Sequence, residues 1–217
     1  MNFIHSEKLF WILPERTATR TVGQLLNFWE VQIYEGNEYK TCVPNRNLDG
    51  SFSQGLRHEW NIPEQYYHYD FILNVRNPYT RMKSYYYSLF LKNDCSASEN
   101  CHWTFSDFCD HYLTDKGGML PHFRFEEIYN VIKAPIHVVK YETLRDDLIV
   151  IPMIEKKLNE SEEFRSEWFR VVENNIFDKE TKGETYKYTE EDAEKVFKAF
   201  EKQFHQFGYD ENSWRYL

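Results

Sequence analysis

The sequence predicts an α/β protein built on a three-layer parallel sheet flanked by helices. Three short apolar runs have the length of buried strands, and polar or proline residues bound them: Lys8–Leu13, Phe71–Val75 and Pro135–Lys140. Each run is followed by a stretch with helix-compatible spacing. Strands that alternate with helices are typical of a parallel sheet, whose ligands bind at the carboxyl ends of the strands.

The first two predicted helices follow the first two strands. Thr19–Tyr34 carries apolar residues at helical spacing, and residues 36–56, which hold most of the Gly, Asn and Ser, predict an irregular loop. Pro78–Lys92 is the second predicted helix. It starts sharply because Asn77 is a good N-cap and proline is favoured at the first helical position.

Three more helices complete the prediction. Phe105–Leu113 is expected to be capped by Thr104 or Ser106, and Leu144–Leu158 follows the third strand. The last helix is expected to begin after Thr189, because acidic residues fill its first turn, and to stop at Gly208. No repeat or low-complexity linker divides the chain, so residues 1–217 predict a single domain.

Composition narrows the class of protein. A net charge of −9 argues against a nucleic-acid protein that depends on a broad basic surface, so an anionic ligand must be bound by a few placed arginines and backbone amides. No apolar run of about 18 residues and no signal-peptide pattern occurs, which predicts a cytoplasmic protein without a membrane span. Four cysteines without metal-binding spacing predict no metal site. They are interpreted as reduced thiols, although Cys95 and Cys101 could pair in an oxidising compartment.

Two segments carry residues suited to phosphate chemistry. The first strand leads into Pro14-Glu15-Arg16-Thr17-Ala18-Thr19-Arg20-Thr21, where backbone N–H groups at a helix start can hold an anion. An ordinary capped helix with a surface arginine would also fit that segment alone. The second strand leads into Arg76-Asn77-Pro78-Tyr79, with Ser84 two helical turns further on. An arginine fork and a serine hydroxyl suit a phosphate group.

Together, these segments resemble the sulfotransferases that use 3′-phosphoadenosine 5′-phosphosulfate. The first resembles that family's 5′-phosphosulfate loop, with Pro14-Glu15-Arg16 in place of the usual proline–lysine pair. The second, R-N-P-Y-x-R-x-x-S-x-Y from Arg76, closely resembles its 3′-phosphate motif. Residues 137–148 and 186–210 resemble the family more weakly. The resemblance implies the P-loop-kinase-like sulfotransferase fold.

The resemblance also implies the roles of individual residues. It assigns the 5′-phosphosulfate to Arg16, Thr17, Ala18, Thr19, Arg20 and Thr21, and the 3′-phosphate to Arg76 and Ser84. Arg16 would stabilise the leaving phosphate electrostatically, but arginine is a poor proton donor. The product would be adenosine 3′,5′-bisphosphate. The acceptor would be a hydroxyl on a carbohydrate.

Several roles depend on residues outside the two motifs. His58 is the predicted general base, because its ordinary pKa suits proton transfer near neutrality, and Glu59 is its nearest competitor. Lys182, Gly183 and Tyr186 are predicted to fold over the nucleotide, as a segment does in related enzymes. Two other readings stay open: a non-catalytic nucleotide-binding relic of this fold, and a nucleotide or small-molecule kinase. The missing G-x-x-x-x-G-K-[ST] loop speaks against the kinase.

Overall fold

The computed structural model describes residues 2–14, 16–29, 31–35, 38–42, 67–87, 103–113, 134–174 and 187–217. The chain divides into two compact units, each discontinuous in sequence. Unit 1 comprises Met1–Val75 and Ile128–Glu180, and unit 2 comprises Arg76–Glu127 and Thr181–Leu217. The single domain expected over residues 1–217 stays a prediction.

The described strands of unit 1 form one six-stranded sheet with the order β4-β3-β1-β2-β5-β6. The strands are β1 Asn2–Ile4, β2 Leu9–Ile12, β3 Val31–Glu35, β4 Glu38–Cys42, β5 Asp70–Val75 and β6 Ile136–Lys140. β2, β5 and β6 are parallel, with Ile12 opposite Leu73 and Leu73 opposite Val138. The α/β class with parallel strands and flanking helices is confirmed at this level.

The other half of the sheet corrects the sequence prediction, because it is antiparallel. β1 pairs with β2 and with β3, and β3 pairs with β4. The helix expected over Thr19–Tyr34 ends at Leu26, and the loop expected over residues 36–56 contains β4. Val31, Gln32 and Ile33 alternate between apolar and polar side chains, which is the two-residue period of a strand. Antiparallel pairing, with Glu35 opposite Glu38, therefore takes the place of a longer helix.

The described helices fall into both units and are numbered along the chain. They are α1 Thr19–Leu26, α2 Pro78–Tyr86, α3 Phe105–Tyr112, α4 Leu144–Ile149, α5 Pro152–Glu160, α6 Glu162–Trp168 and α7 Glu190–Phe207. The helix expected over Leu144–Leu158 is therefore two helices. Pro152 occupies the first position of α5, and proline cannot continue a preceding helix.

Helices pack on one face of the parallel strands in unit 1. Trp11 and Ile72 from the strands join Val22 of α1 and Phe164 of α6 in one apolar cluster. The opposite face of the strands is also buried: Phe10 and Phe71 are fully buried, and their ring centroids lie 5.3 Å apart. Burial on both faces explains why β2 and β5 are almost wholly apolar in sequence.

Unit 2 contains α2, α3 and α7, which share an aromatic cluster. Tyr79 of α2 lies 4.9 Å from Phe204 of α7, measured between ring centroids. The predicted bounds of α7 are confirmed: the Thr189 hydroxyl accepts from the Asp192 amide, and Gly208 ends the helix at φ +65°. Of the two caps expected for α3, Thr104 and Ser106, the structure shows Thr104.

Candidate functional site

The first motif is a short loop that folds back on the Pro14 carbonyl. The Thr17 hydroxyl donates to that carbonyl at 2.7 Å and the Thr19 hydroxyl donates at 2.9 Å. The Thr17 amide donates to the same oxygen at 3.4 Å. Because each hydroxyl has one proton, both threonine protons are used inside the loop. An anion at this loop must therefore be bound by backbone N–H groups or by other side chains.

The backbone of this loop is in an unusual conformation. Arg16 has φ +63° and Ala18 has φ +69°, although neither is glycine. A left-handed residue with a Cβ costs about 1–2 kcal/mol, so the surrounding structure must hold this shape in place. Turns that include such residues can form backbone nests that bind anions.

The loop leads directly into the N-terminus of α1. Ala18 occupies the cap position, and within the described part of the chain no side chain caps the helix and no acidic residue lies in its first turn. Arg20 is half-buried and Thr21 is buried. A helix N-terminus carries partial positive charge and donor N–H groups, so it favours an anion.

A buried carboxamide connects this loop to the neighbouring strand. The Trp11 indole Nε1 donates to Asn74 Oδ1 at 2.8 Å, and Asn74 Nδ2 donates to the Thr17 carbonyl at 2.8 Å. All three side chains are 0% exposed. Asn74 was not among the residues predicted from the sequence. It is the one polar residue in the run Phe71–Val75, and a polar residue inside a buried strand indicates a specific hydrogen-bond partner.

The second motif has the strand-to-helix geometry that its sequence predicts. β5 ends at Val75, Asn77 caps α2 by accepting from the Tyr79 amide at 2.9 Å, and Pro78 is the first helical residue. Arg76 therefore follows directly after the carboxyl end of a buried strand. The predicted helix extended to Lys92; α2 ends at Tyr86, and residues 88–92 lie outside the described ranges.

Arg76 is held along the first turn of α2. Its Nε donates to the Thr80 hydroxyl at 3.1 Å, and that hydroxyl donates to the Asn77 carbonyl at 3.0 Å. Thr80 and Ser84 are four residues apart, so they share a face of the helix. The structure thus brings Arg76 to the face that carries the half-buried Ser84, and adds Thr80, which sequence reasoning missed.

Two other cations of α2 have different environments. Lys83, also a neighbour of Thr80 on the helix, is half-buried, and this burial lowers the pKa of its ammonium group. A bound anion nearby would oppose that effect. Arg81 is only 2% exposed, so it is buried rather than available at the surface of α2.

The C-terminal segment supports the first turn of α2. Asn77 Nδ2 donates to the Ser213 hydroxyl at 2.9 Å, and the Tyr79 hydroxyl donates to the Glu211 carbonyl at 2.8 Å. Burial, followed by the charges of Glu211 and Asp210, raises the pKa of Tyr79 to about 12. Tyr79 therefore serves as a neutral structural donor near neutral pH.

Five predicted site residues lie outside the described residues: His58, Glu59, Lys182, Gly183 and Tyr186. The general base and the nucleotide-covering segment therefore stay predictions. Within the described ranges, no group of three or more His, Cys, Asp or Glu side chains is arranged to hold a metal ion. None of the described helices combines the length and apolar character needed to cross a membrane.

The chain matches no protein-family model, no curated protein and no solved structure.

Proposed function

We propose that this chain is a sulfotransferase of the P-loop-kinase-like fold. In this proposal it uses 3′-phosphoadenosine 5′-phosphosulfate as donor and a hydroxyl, on a carbohydrate, as acceptor. The observation that carries the proposal is the loop between β2 and α1, in which the left-handed residues Arg16 and Ala18 precede a helix N-terminus that no side chain caps among the described residues. Such a loop after a buried parallel strand suits a phosphate or phosphosulfate group.

The second motif supports the choice of a 3′-phosphorylated nucleotide. Arg76, Thr80 and Ser84 offer a guanidinium and two hydroxyls along one face of α2. A guanidinium binds phosphate oxygens in a planar fork, and hydroxyls add directed hydrogen bonds. ATP lacks a 3′-phosphate, so this set would favour the bisphosphate nucleotide over ATP.

The roles proposed for the individual residues follow from the chemistry of their side chains. When bound, the nucleotide supplies the sulfuryl group, whose bond to the 5′-phosphate breaks as the acceptor oxygen bonds to sulfur. Arg16, backbone N–H groups of the loop and the N-terminus of α1 would stabilise the charge that develops on the leaving phosphate. His58, or alternatively Glu59, would take the proton of the acceptor hydroxyl.

Calorimetric titration with adenosine 3′,5′-bisphosphate and with ATP tests the nucleotide. We expect the bisphosphate to bind at least about tenfold more tightly, a difference of about 1.4 kcal/mol. A preference for ATP would contradict the proposal and favour a kinase. Binding of the bisphosphate without any sulfuryl transfer would favour a non-catalytic relic. The presence of Arg16 where the family has lysine is the observation that motivates this alternative.

Replacement of Arg76 tests the 3′-phosphate site. We expect Arg76→Ala to weaken adenosine 3′,5′-bisphosphate by about tenfold or more and to leave adenosine 5′-phosphate nearly unchanged. The matched control is Arg145→Ala, because Arg145 is an exposed arginine that pairs with Glu173 in unit 1. Equal losses for both nucleotides would contradict the assigned role.

Replacement of His58 tests the base. We expect His58→Ala to lower the rate of sulfuryl transfer by about a hundredfold or more without weakening the bisphosphate. An unchanged rate of transfer would favour Glu59 as the general base. The parallel experiment is Glu59→Gln.

A further inference from the structure

The Thr17 carbonyl belongs to the peptide group that joins Thr17 to Ala18. Asn74 Nδ2 holds this carbonyl at 2.8 Å in the interior of unit 1. In a planar trans peptide the C=O and N–H bonds point in opposite directions. The Ala18 N–H is therefore directed to the side of the loop opposite Asn74. Within the described residues, no backbone carbonyl accepts from it.

The orientation of the Asn74 carboxamide is fixed by both of its partners. An indole nitrogen can only donate, so Trp11 Nε1 requires the oxygen of Asn74. A carbonyl can only accept, so the Thr17 oxygen requires the NH₂ group. The two bonds, both 2.8 Å and both buried, therefore specify the same orientation of one side chain.

The loop needs such a restraint because its own conformation is costly. Arg16 and Ala18, on either side of Thr17, are both left-handed. Rotation of the Thr17–Ala18 peptide changes φ of Ala18, so it would relieve the strain at Ala18 and turn the Ala18 N–H away. The hydroxyls of Thr17 and Thr19 close the loop by donating to the Pro14 carbonyl, so their protons do not hold the Thr17 carbonyl.

We propose that Asn74 is a positioning residue that locks the Thr17–Ala18 peptide so that the Ala18 N–H is presented to the anion. Trp11 orients Asn74 from β2, and Asn74 in turn holds the loop that follows β2. This inference rests on the proposed function for the identity of the anion, the 5′-phosphate end of the nucleotide. The lock itself is a property of the protein without ligand.

The experiment compares Asn74→Leu and Trp11→Phe with Ile72→Val in the intact chain. Leu removes both hydrogen bonds at similar volume, and Phe removes only the bond that orients the carboxamide. Ile72 is a matched control, because it is fully buried on the same strand and two residues from Asn74, hence on the same face. Nuclear magnetic resonance relaxation dispersion at the amides of residues 16–19 reports slow peptide rotation without ligand.

Calorimetry on the same variants uses two nucleotides. Adenosine 3′,5′-bisphosphate contains the 5′-phosphate, whereas adenosine 3′-phosphate lacks it. We expect Asn74→Leu to weaken the bisphosphate about tenfold and the 3′-phosphate by less than about twofold. Trp11→Phe should have the same pattern at about threefold, and so keeps the test available where Asn74→Leu does not fold.

Each outcome decides the inference. New relaxation dispersion in the loop, with selective weakening of the bisphosphate, supports the lock. Dispersion no greater than in Ile72→Val overturns it. When the unsubstituted protein binds neither nucleotide, the proposed function fails, while the dispersion comparison alone still supports or overturns the lock.

Discussion

The cost of the left-handed residues can be measured one residue at a time. Ala18 has φ +69° and is buried, so its Cβ is strained as well as packed. Glycine would relieve the strain, but it would lose a packed methyl group and gain freedom in the unfolded chain. At Ala18 the relief of strain opposes the other two effects. At an alanine inside a helix there is no such strain to relieve, so the two remaining effects both destabilise the folded protein.

We therefore expect Ala18→Gly to change the free energy of unfolding by less than about 1 kcal/mol. Ala193→Gly is the control, because Ala193 is also buried, at 2% exposed against 9% for Ala18, and lies inside α7, so its substitution should lower that free energy by more than about 1 kcal/mol. Urea denaturation measures both. Equal losses would show that Ala18 is not strained.

The Cys109 thiol is predicted to be unreactive in the folded protein. Burial and the charge of Asp192 raise the pKa of this free cysteine well above its usual range. Because the thiolate is the nucleophile, we expect no alkylation of Cys109 by iodoacetamide at about pH 8 until the protein is unfolded in urea. Peptide mapping by mass spectrometry identifies the modified residue, and rapid native labelling of Cys109 would contradict its burial.

At the scale of elements, α3 begins with a reciprocal capping box that should be sensitive to acid. Thr104 donates to Asp107 Oδ2 from its hydroxyl at 2.6 Å and from its amide at 2.8 Å. These hydrogen bonds lower the pKa of Asp107 below its ordinary value of 3.8. A carboxyl with a depressed folded pKa stabilises the fold above its unfolded pKa, and this contribution is lost as pH falls through the folded pKa.

We expect acidification from about pH 5 to about pH 2 to lower the melting temperature of the unsubstituted protein more than that of Asp107→Asn, which has no carboxyl to titrate there. Thermal unfolding followed by circular dichroism measures both proteins. Parallel acid curves would mean that this box contributes nothing through its charge.

Elements with local signals were predictable from the sequence. The parallel strands were marked by apolar runs, and α2, α3 and α7 were marked by Asn77, Thr104 and Thr189 at their starts. β1, β3 and β4 were missed because their stability depends on pairing with one another, and their residues are mixed in character. Trp29 continues the helical spacing of apolar residues, so the sequence predicted a helix that extends beyond Leu26, where α1 ends.

The candidate site was predictable to the same extent. Arg76 and Ser84 follow a local sequence pattern, and the structure brings Arg76 to the face of α2 that Ser84 shares. The link from Asn74 to Thr17 was not predictable, since it depends on β2 and β5 being neighbours in the sheet and on one carbonyl pointing inward. The Pro14 carbonyl accepts from both Thr17 and Thr19. This arrangement was not predictable either, because it depends on the backbone conformation of the loop.

At the scale of the whole molecule, the charge distribution limits how an anion can be bound. The chain has 35 acidic and 26 basic lysine and arginine side chains, giving a net charge of −9. A nucleotide with several negative charges therefore gains no attraction from the overall field. Its affinity must come from short-range contacts, which is why single substitutions at Arg76 or Asn74 are expected to have measurable effects.

The sheet also predicts where unit 1 is most stable. β5 lies between β2 and β6, whereas β6 has one edge without a partner among the described strands. We expect amides of β5 to exchange with deuterium at least about tenfold more slowly than those of β6. Hydrogen-exchange mass spectrometry on peptides from both strands measures this difference, and equal protection would contradict the edge position of β6.

The hydrogen bonds from Asn77 to Ser213 and from Tyr79 to Glu211 have a practical consequence for anyone handling the protein. Proteolytic loss of residues 211–213 would remove both partners and loosen the turn that begins just after Arg76. The proposed nucleotide affinity is then expected to fall in aged preparations whose two motifs are chemically intact. Intact-mass measurement before each titration would separate such trimming from a true loss of binding residues.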